Sequence, residues 1–102
     1  MVHLVEEKSD EIARLCARYS VKRLELFGSA AGIDFDPQKS DIDFLVEFLP
    51  LHSGEHADAY FGLLEALQEL LGRSVDLVML NAVKNPYFLE AIVKNRTVLY
   101  AA

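Results

Sequence analysis

Cysteine is almost absent from this chain: Cys16 is the only one among 102 residues. A single thiol excludes an internal disulfide and cannot cage a metal. Cys16 falls on the apolar side of an expected helix and reads as a small buried hydrophobe. A reactive thiolate would need a partnering base and an exposed, electropositive setting. Long hydrophobic runs are lacking too. No apolar stretch approaches the roughly 20 residues that span a bilayer, and residues 1–10 alternate apolar and charged side chains, unlike a secretory leader. The expectation is a cytoplasmic protein with no membrane segment. Basic clusters are also missing. Ten Lys and Arg are scattered among sixteen Asp and Glu, for a net charge of −6. Stable DNA or RNA binding needs clustered cations to neutralise phosphates, so a large nucleic-acid substrate is disfavoured. An acidic chain can still take a nucleotide when divalent metals supply the positive charge, and it can suit a basic protein partner.

What is present is a 52% apolar composition, enough for a modest core in one domain over residues 1–102. Part of it is expected to cover a partner surface, because so small a domain has little interior. Ile12, Leu15, Cys16 and Tyr19 recur at helical spacing and predict a helix over residues 5–19, with Asp10 and Glu11 early, where the helix dipole favours anions. Val21 to Phe27 predicts a strand with Leu24 and Leu26 on one face and Arg23, Glu25 and Phe27 on the other. Gly28 ends it, and residues 33–40 read as a loop.

Asp41 to Phe48 gives the clearest strand pattern, with Ile42, Phe44, Val46 and Phe48 on one side and Asp41, Asp43, Leu45 and Glu47 on the other. A helix is expected over 55–71, its apolar stripe Tyr60, Phe61, Leu64, Leu67 and Leu71, with Gly72 as C-cap. Val75 to Leu80 predicts a third strand, Asn85-Pro86 the start of a short helix, and Thr97 to Tyr100 a final strand. The order α-β-β-α-β-α-β implies a two-layer α/β domain.

Three groups carry candidate chemistry. Asp41 and Asp43, two apart on a strand, share a face. Their mutual repulsion calls for a cation or a shared proton, and hard oxygen ligands of this kind suit Mg²⁺ completed by substrate phosphates. Taken alone, the pair fits solvated aspartates near a turn somewhat better than a metal site. Gly28-Ser29 follows a strand and precedes a helical turn: glycine permits close backbone approach, and N–H groups at a helix start bind anions. Alone, such a pair is more often simply a turn that Ser29 caps. Asp76 interrupts the apolar run Val75, Leu77, Val78. It reads either as a third metal ligand or as an edge-strand residue facing solvent. His52 and His56 are four apart but lack the third ligand zinc would want.

Phe27-Gly28-Ser29, Ser40-Asp41-Ile42-Asp43-Phe44-Leu45-Val46, Gly72-Arg73-Ser74-Val75-Asp76-Leu77-Val78 and the tail Val98-Leu99-Tyr100 stand in the order found in polymerase-beta-like nucleotidyltransferases. Over nearly its whole length the chain resembles the stand-alone minimal nucleotidyltransferases, the MNT family, which act as antitoxins to HEPN-domain toxins. After Ser29 the sequence runs Ala30-Ala31-Gly32, without the arginine that family members commonly carry there.

The resemblance implies an α+β fold with a mixed sheet of about four strands flanked by helices. It implies two Mg²⁺ (or Mn²⁺) ions held by Asp41, Asp43 and Asp76, and a triphosphate cradled by Gly28 and Ser29. Asp76 would assist as a base where the attacking hydroxyl loses its proton. The implied activity is protein adenylylation: AMP passes from ATP to a tyrosine of a cognate HEPN toxin, within a homodimer or hetero-oligomer. The alternative is a non-catalytic antitoxin that neutralises its toxin by contact alone.

Overall fold

A computed structural model of the chain describes residues 3–27, 42–52, 54–79 and 96–102. Helices α1 (His3–Glu7) and α2 (Ser9–Arg18) lead into strand β1 (Val21–Phe27). Then come β2 (Ile42–Phe48), helix α3 (Glu55–Leu71), β3 (Val75–Met79) and β4 (Thr97–Ala101). The helical turn expected after Ser29, the loop over residues 33–40 and the helix expected near Asn85-Pro86 lie outside the described residues. Otherwise the expected elements are found within a residue or two, with one difference at the N-terminus.

There the expected single helix is divided at Lys8, whose backbone sits at φ −100° and ψ 12°. The Lys8 N–H still donates to Leu4 O, and the Lys8 carbonyl accepts from Ile12 N. The hydrogen-bond ladder therefore runs across a local turn rather than stopping. Ser9, a residue that favours helix starts over interiors, opens the second segment.

The four strands form one mixed sheet in the order β3-β2-β1-β4. β1 is antiparallel to β2 and to β4, while β3 is parallel to β2 and reached through α3. The described helices pack on one face of this sheet. Leu24, Leu26, Ile42, Phe44, Val46, Val75 and Leu77 meet Val5, Ile12, Cys16, Leu63, Leu67 and Leu71 there in one continuous core. Burial of these side chains, worth about 1.5–3 kcal/mol each, is the main force fixing the layers. The alternation read from β1 and β2 holds. A register shift in β4 between the partners of Leu24 and Glu25 allows both Leu99 and Tyr100 to pack against the core.

α3 is pinned to β3 by the Tyr60 hydroxyl, which donates to Leu77 O at 2.6 Å. The helix ends as the sequence predicts, at Gly72 in the left-handed region (φ 65°), whose N–H donates to Gln68 O at 2.8 Å. The predicted apolar stripe needs one correction. Leu63 is buried and Phe61 is not: Phe61 is 63% exposed and lies edge-on to Tyr60, with ring centroids 5.1 Å apart. Three- and four-residue steps from Tyr60 reach 63, 64, 67 and 71, and position 61 is rotated away from that line.

Candidate active site

The sheet face opposite the helices carries the predicted carboxylates. Asp43 is the second residue of β2 and Asp76 the second of β3. The two strands run parallel with Asp43 paired to Asp76, and the flanking pairs Ile42–Val75 and Phe44–Leu77 point into the core. That alternation turns both carboxylates to the same outer face. Adjacent strands lie about 4.8 Å apart, so side chains leaving paired positions on one face are near neighbours. Asp43 is half-buried and Asp76 exposed. The amide of Ile42 donates to Ser74 O at 3.2 Å, extending the β2–β3 pairing to the residues just before the two aspartates.

Among the described strands β3 stands at the edge, and Asp76 is exposed, so it does not need a partner to tolerate burial. Its register with Asp43 is what draws it into the site. Phe27, the last residue of β1, pairs with Asp43. The segment holding Gly28 and Ser29 is therefore entered at the sheet end where Asp43 and Asp76 sit. Gly28, Ser29 and Asp41 themselves lie outside the described residues. Among the described residues no group of three or more His, Cys, Asp or Glu is gathered to hold a metal ion. The paired Asp43 and Asp76 supply two carboxylates, hard anionic donors suited to a small divalent cation. His52 precedes α3 and His56 lies in its first turn, both exposed.

An apolar floor lies beside the carboxylates. Phe27, Leu45 and Val78 cluster on the outer face, below and beside Asp43. Next to them lies a group that sequence reasoning did not single out. Glu25 on β1 is only 3% exposed, yet it is charged. Arg23 Nε donates to Glu25 Oε1, and Arg96 Nη1 stands 3.4 Å from Oε2. Alternation assigns Glu25 to the outer face. Its burial and its pairing with Arg96 follow from long-range strand pairing, which local pattern does not carry.

Cys16 is fully buried in the core, and desolvation pushes its thiol from 9.0 up to about 12. This agrees with its reading as an inert hydrophobe and excludes it as a nucleophile near neutral pH.

A mixed four-stranded sheet with helices on one face and strand-borne carboxylates on the other is the architecture of a nucleotidyltransferase domain. The chain belongs to that family: residues 10–99 match the nucleotidyltransferase domain, and it is a nucleotidyltransferase of the minimal, MNT type. It is 44% identical over 77 residues to a proposed protein adenylyltransferase of Methanocaldococcus jannaschii, an alignment covering 74% of this chain and 72% of the relative. A solved complex of tri-AMPylated Shewanella oneidensis HEPN toxin with MNT antitoxin matches with a TM-score of 0.65 at 21% identity, over 95% of this chain and 72% of that one. A solved toxin–antitoxin structure with AMP-PNP matches with a TM-score of 0.70 at 23% identity, over 92% of this chain and 73% of that one. These two likenesses confirm the fold. Among the described residues, no helix is long and apolar enough to cross a membrane.

Proposed function

We propose that this nucleotidyltransferase is an antitoxin that moves AMP from ATP to a tyrosine hydroxyl of a cognate HEPN-domain toxin, in a reaction that depends on Mg²⁺. The observation that carries the reading is the in-register pair Asp43 and Asp76 on one face of the sheet. The relative's description as a protein adenylyltransferase and the solved toxin–antitoxin complexes support the substrate and the partner.

In this reading Asp43 and Asp76, with Asp41, hold the metal. Bound there, Mg²⁺ would neutralise charge on the phosphates and stabilise the attacking and leaving oxygens of an in-line displacement. The chain's own residues do the rest. Gly28 and Ser29 hold the phosphate chain through backbone N–H groups and a hydroxyl. Asp76 takes the proton from the attacking tyrosine hydroxyl. That oxygen forms a bond to the α-phosphorus as the bond from the α-phosphorus to the bridging oxygen breaks, and pyrophosphate leaves with the electron pair. The product is an adenylylated tyrosine, which adds bulk and negative charge to the toxin.

A second reading, neutralisation by contact alone, is favoured by one observation: Phe61 on α3 and Val98 on β4 are large apolar side chains left 63% and 47% exposed. The two readings separate in one assay. The protein, the product of the gene neighbouring its own, Mg²⁺ and α-labelled ATP are mixed, and label on that product is followed together with its toxic activity. Enzymatic silencing predicts label on the toxin, lost together with neutralisation in an Asp41→Ala/Asp43→Ala double variant. Full neutralisation by that variant, with no label in any mixture, would leave only the contact reading.

A further inference from the structure

The outer sheet face holds more than acids. Glu25 is buried there, and its Oε2 makes no hydrogen bond. Two guanidinium groups bracket its carboxylate, Arg23 at Oε1 and Arg96 at Oε2. One cation would neutralise one buried carboxylate. Here there are two, in a chain whose net charge is −6, although Arg23 also stands opposite Glu47 on β2. The Arg96 side chain is 37% exposed, so its guanidinium is still open to a ligand.

Register fixes where that charge stands. Glu25 pairs with Val98 and Leu26 with Thr97; Arg96, the residue just before β4, continues that line towards the end of β1, where Phe27 stands. Phe27 pairs with Asp43, and Asp43 with Asp76. At one end of the sheet the order across the strands is therefore Asp76, Asp43, Phe27, Arg96. Two strand spacings, about 10 Å between backbones, separate Asp43 from Arg96. A long arginine side chain and a chain of phosphates together can cross that gap. The residue between them, Phe27, is apolar and 8% exposed, so it offers no competing charge. Arg23 stands farther back along β1, opposite Glu47 and Ala101.

We propose that Arg96, aimed by the buried Glu25, binds the β- and γ-phosphates of a nucleoside triphosphate whose α-phosphate lies at Asp43 and Asp76. Arginine is suited to this, because its planar fork pairs with phosphate oxygens bidentately. Glu25 is the positioning residue: it fixes the guanidinium without touching the nucleotide. The inference rests on the nucleotidyltransferase site proposed above. The competing explanation is structural, with the ion pair serving only to tether β4 to β1.

Calorimetric titration of the full chain in Mg²⁺ with AMP-PNP and, separately, with AMP distinguishes them. Arg96→Ala should weaken AMP-PNP binding about tenfold or more, the loss of a charge-assisted contact, while changing AMP binding by less than about twofold. Glu25→Gln should shift AMP-PNP in the same direction with AMP again unmoved. Arg96→Lys keeps the charge and a tether, and should still lose several-fold for AMP-PNP because the fork is gone; it serves if Arg96→Ala does not fold. Equal effects on both ligands, or none on either, overturn the role of Arg96 and leave the carboxylate site standing. A wild-type chain that binds neither ligand in Mg²⁺ overturns the nucleotidyltransferase site itself, and the role of Arg96 with it.

Discussion

Like charges at paired positions on neighbouring strands repel, by about 0.2–1 kcal/mol when solvated. Asp43 and Asp76 are such a pair. Without a divalent cation, Asp76→Asn should leave the melting temperature unchanged or raise it by a few degrees, because it removes repulsion from an exposed position. With saturating Mg²⁺ and ATP the order should reverse: the wild type gains stability from the bound ligands and the variant does not. Thermal melts in EDTA and in Mg²⁺-ATP read both arms. A variant strongly destabilised in EDTA would mark Asp76 as a structural residue. Cys16 supplies a pH prediction. Burial raises its thiol from 9.0 to about 12, so above pH 9 the unfolded chain gives up a proton that the folded chain keeps. The thiol's contribution to stability is whole below pH 9 and declines as the pH rises from 9 towards 12. A Cys16→Ala variant, less stable at neutral pH because of the cavity it leaves, should lose this component of the alkaline decline in a denaturant series.

At the scale of elements, α3 sets the spacing between the helical layer and the β2–β3 pair. Gly62 is where it meets α2: a Cβ built there would come within 2.5 Å of the Tyr19 ring. Alanine is the better helix former by about 1 kcal/mol, but the Tyr19 ring packs against the core and carries Arg18 over its face. Gly62→Ala should therefore destabilise by about 1 kcal/mol, and in a Tyr19→Ala background it should become neutral or stabilising. A double-mutant cycle in urea measures that change of sign. Gly72→Ala forces a side chain into the left-handed region (φ 65°) and should cost about 1 kcal/mol without affecting Tyr19.

These elements differ in how far the sequence reveals them. α3 and its cap are readable because the helical stripe and Gly72 are local signals. The outward turn of Asp43 is readable because its strand alternates cleanly. The break at Lys8 is not, since the turn keeps its hydrogen bonds and a single Ser9 does not announce that a second helix starts there. Phe61 misleads because hydrophobicity alone does not say which apolar residues face the sheet.

Over the whole molecule, what stays hidden in the sequence is what depends on strand order. That β3 stands at the edge of the described strands, that Asp76 falls in register with Asp43, and that Arg96 reaches Glu25 all come from pairings between distant segments. Alternation could assign Asp43 and Asp76 to a face of their own strands, but not to each other. The family resemblance supplied the link that local patterning could not. The acidic whole also makes physical sense of the site. A chain of net charge −6 has little long-range attraction for a free triphosphate, so affinity must come from local cations, whether metal or guanidinium. Binding of ATP should accordingly depend on metal far more than on added monovalent salt.

The most direct test is the affinity of the chain for ATP, titrated calorimetrically in Mg²⁺ and in excess EDTA, for the wild type and for Asp43→Asn. The wild type should bind at least about tenfold more tightly in Mg²⁺, and Asp43→Asn should bind weakly in both. Equal wild-type affinity with and without the metal would contradict a metal-binding carboxylate pair at the heart of this site.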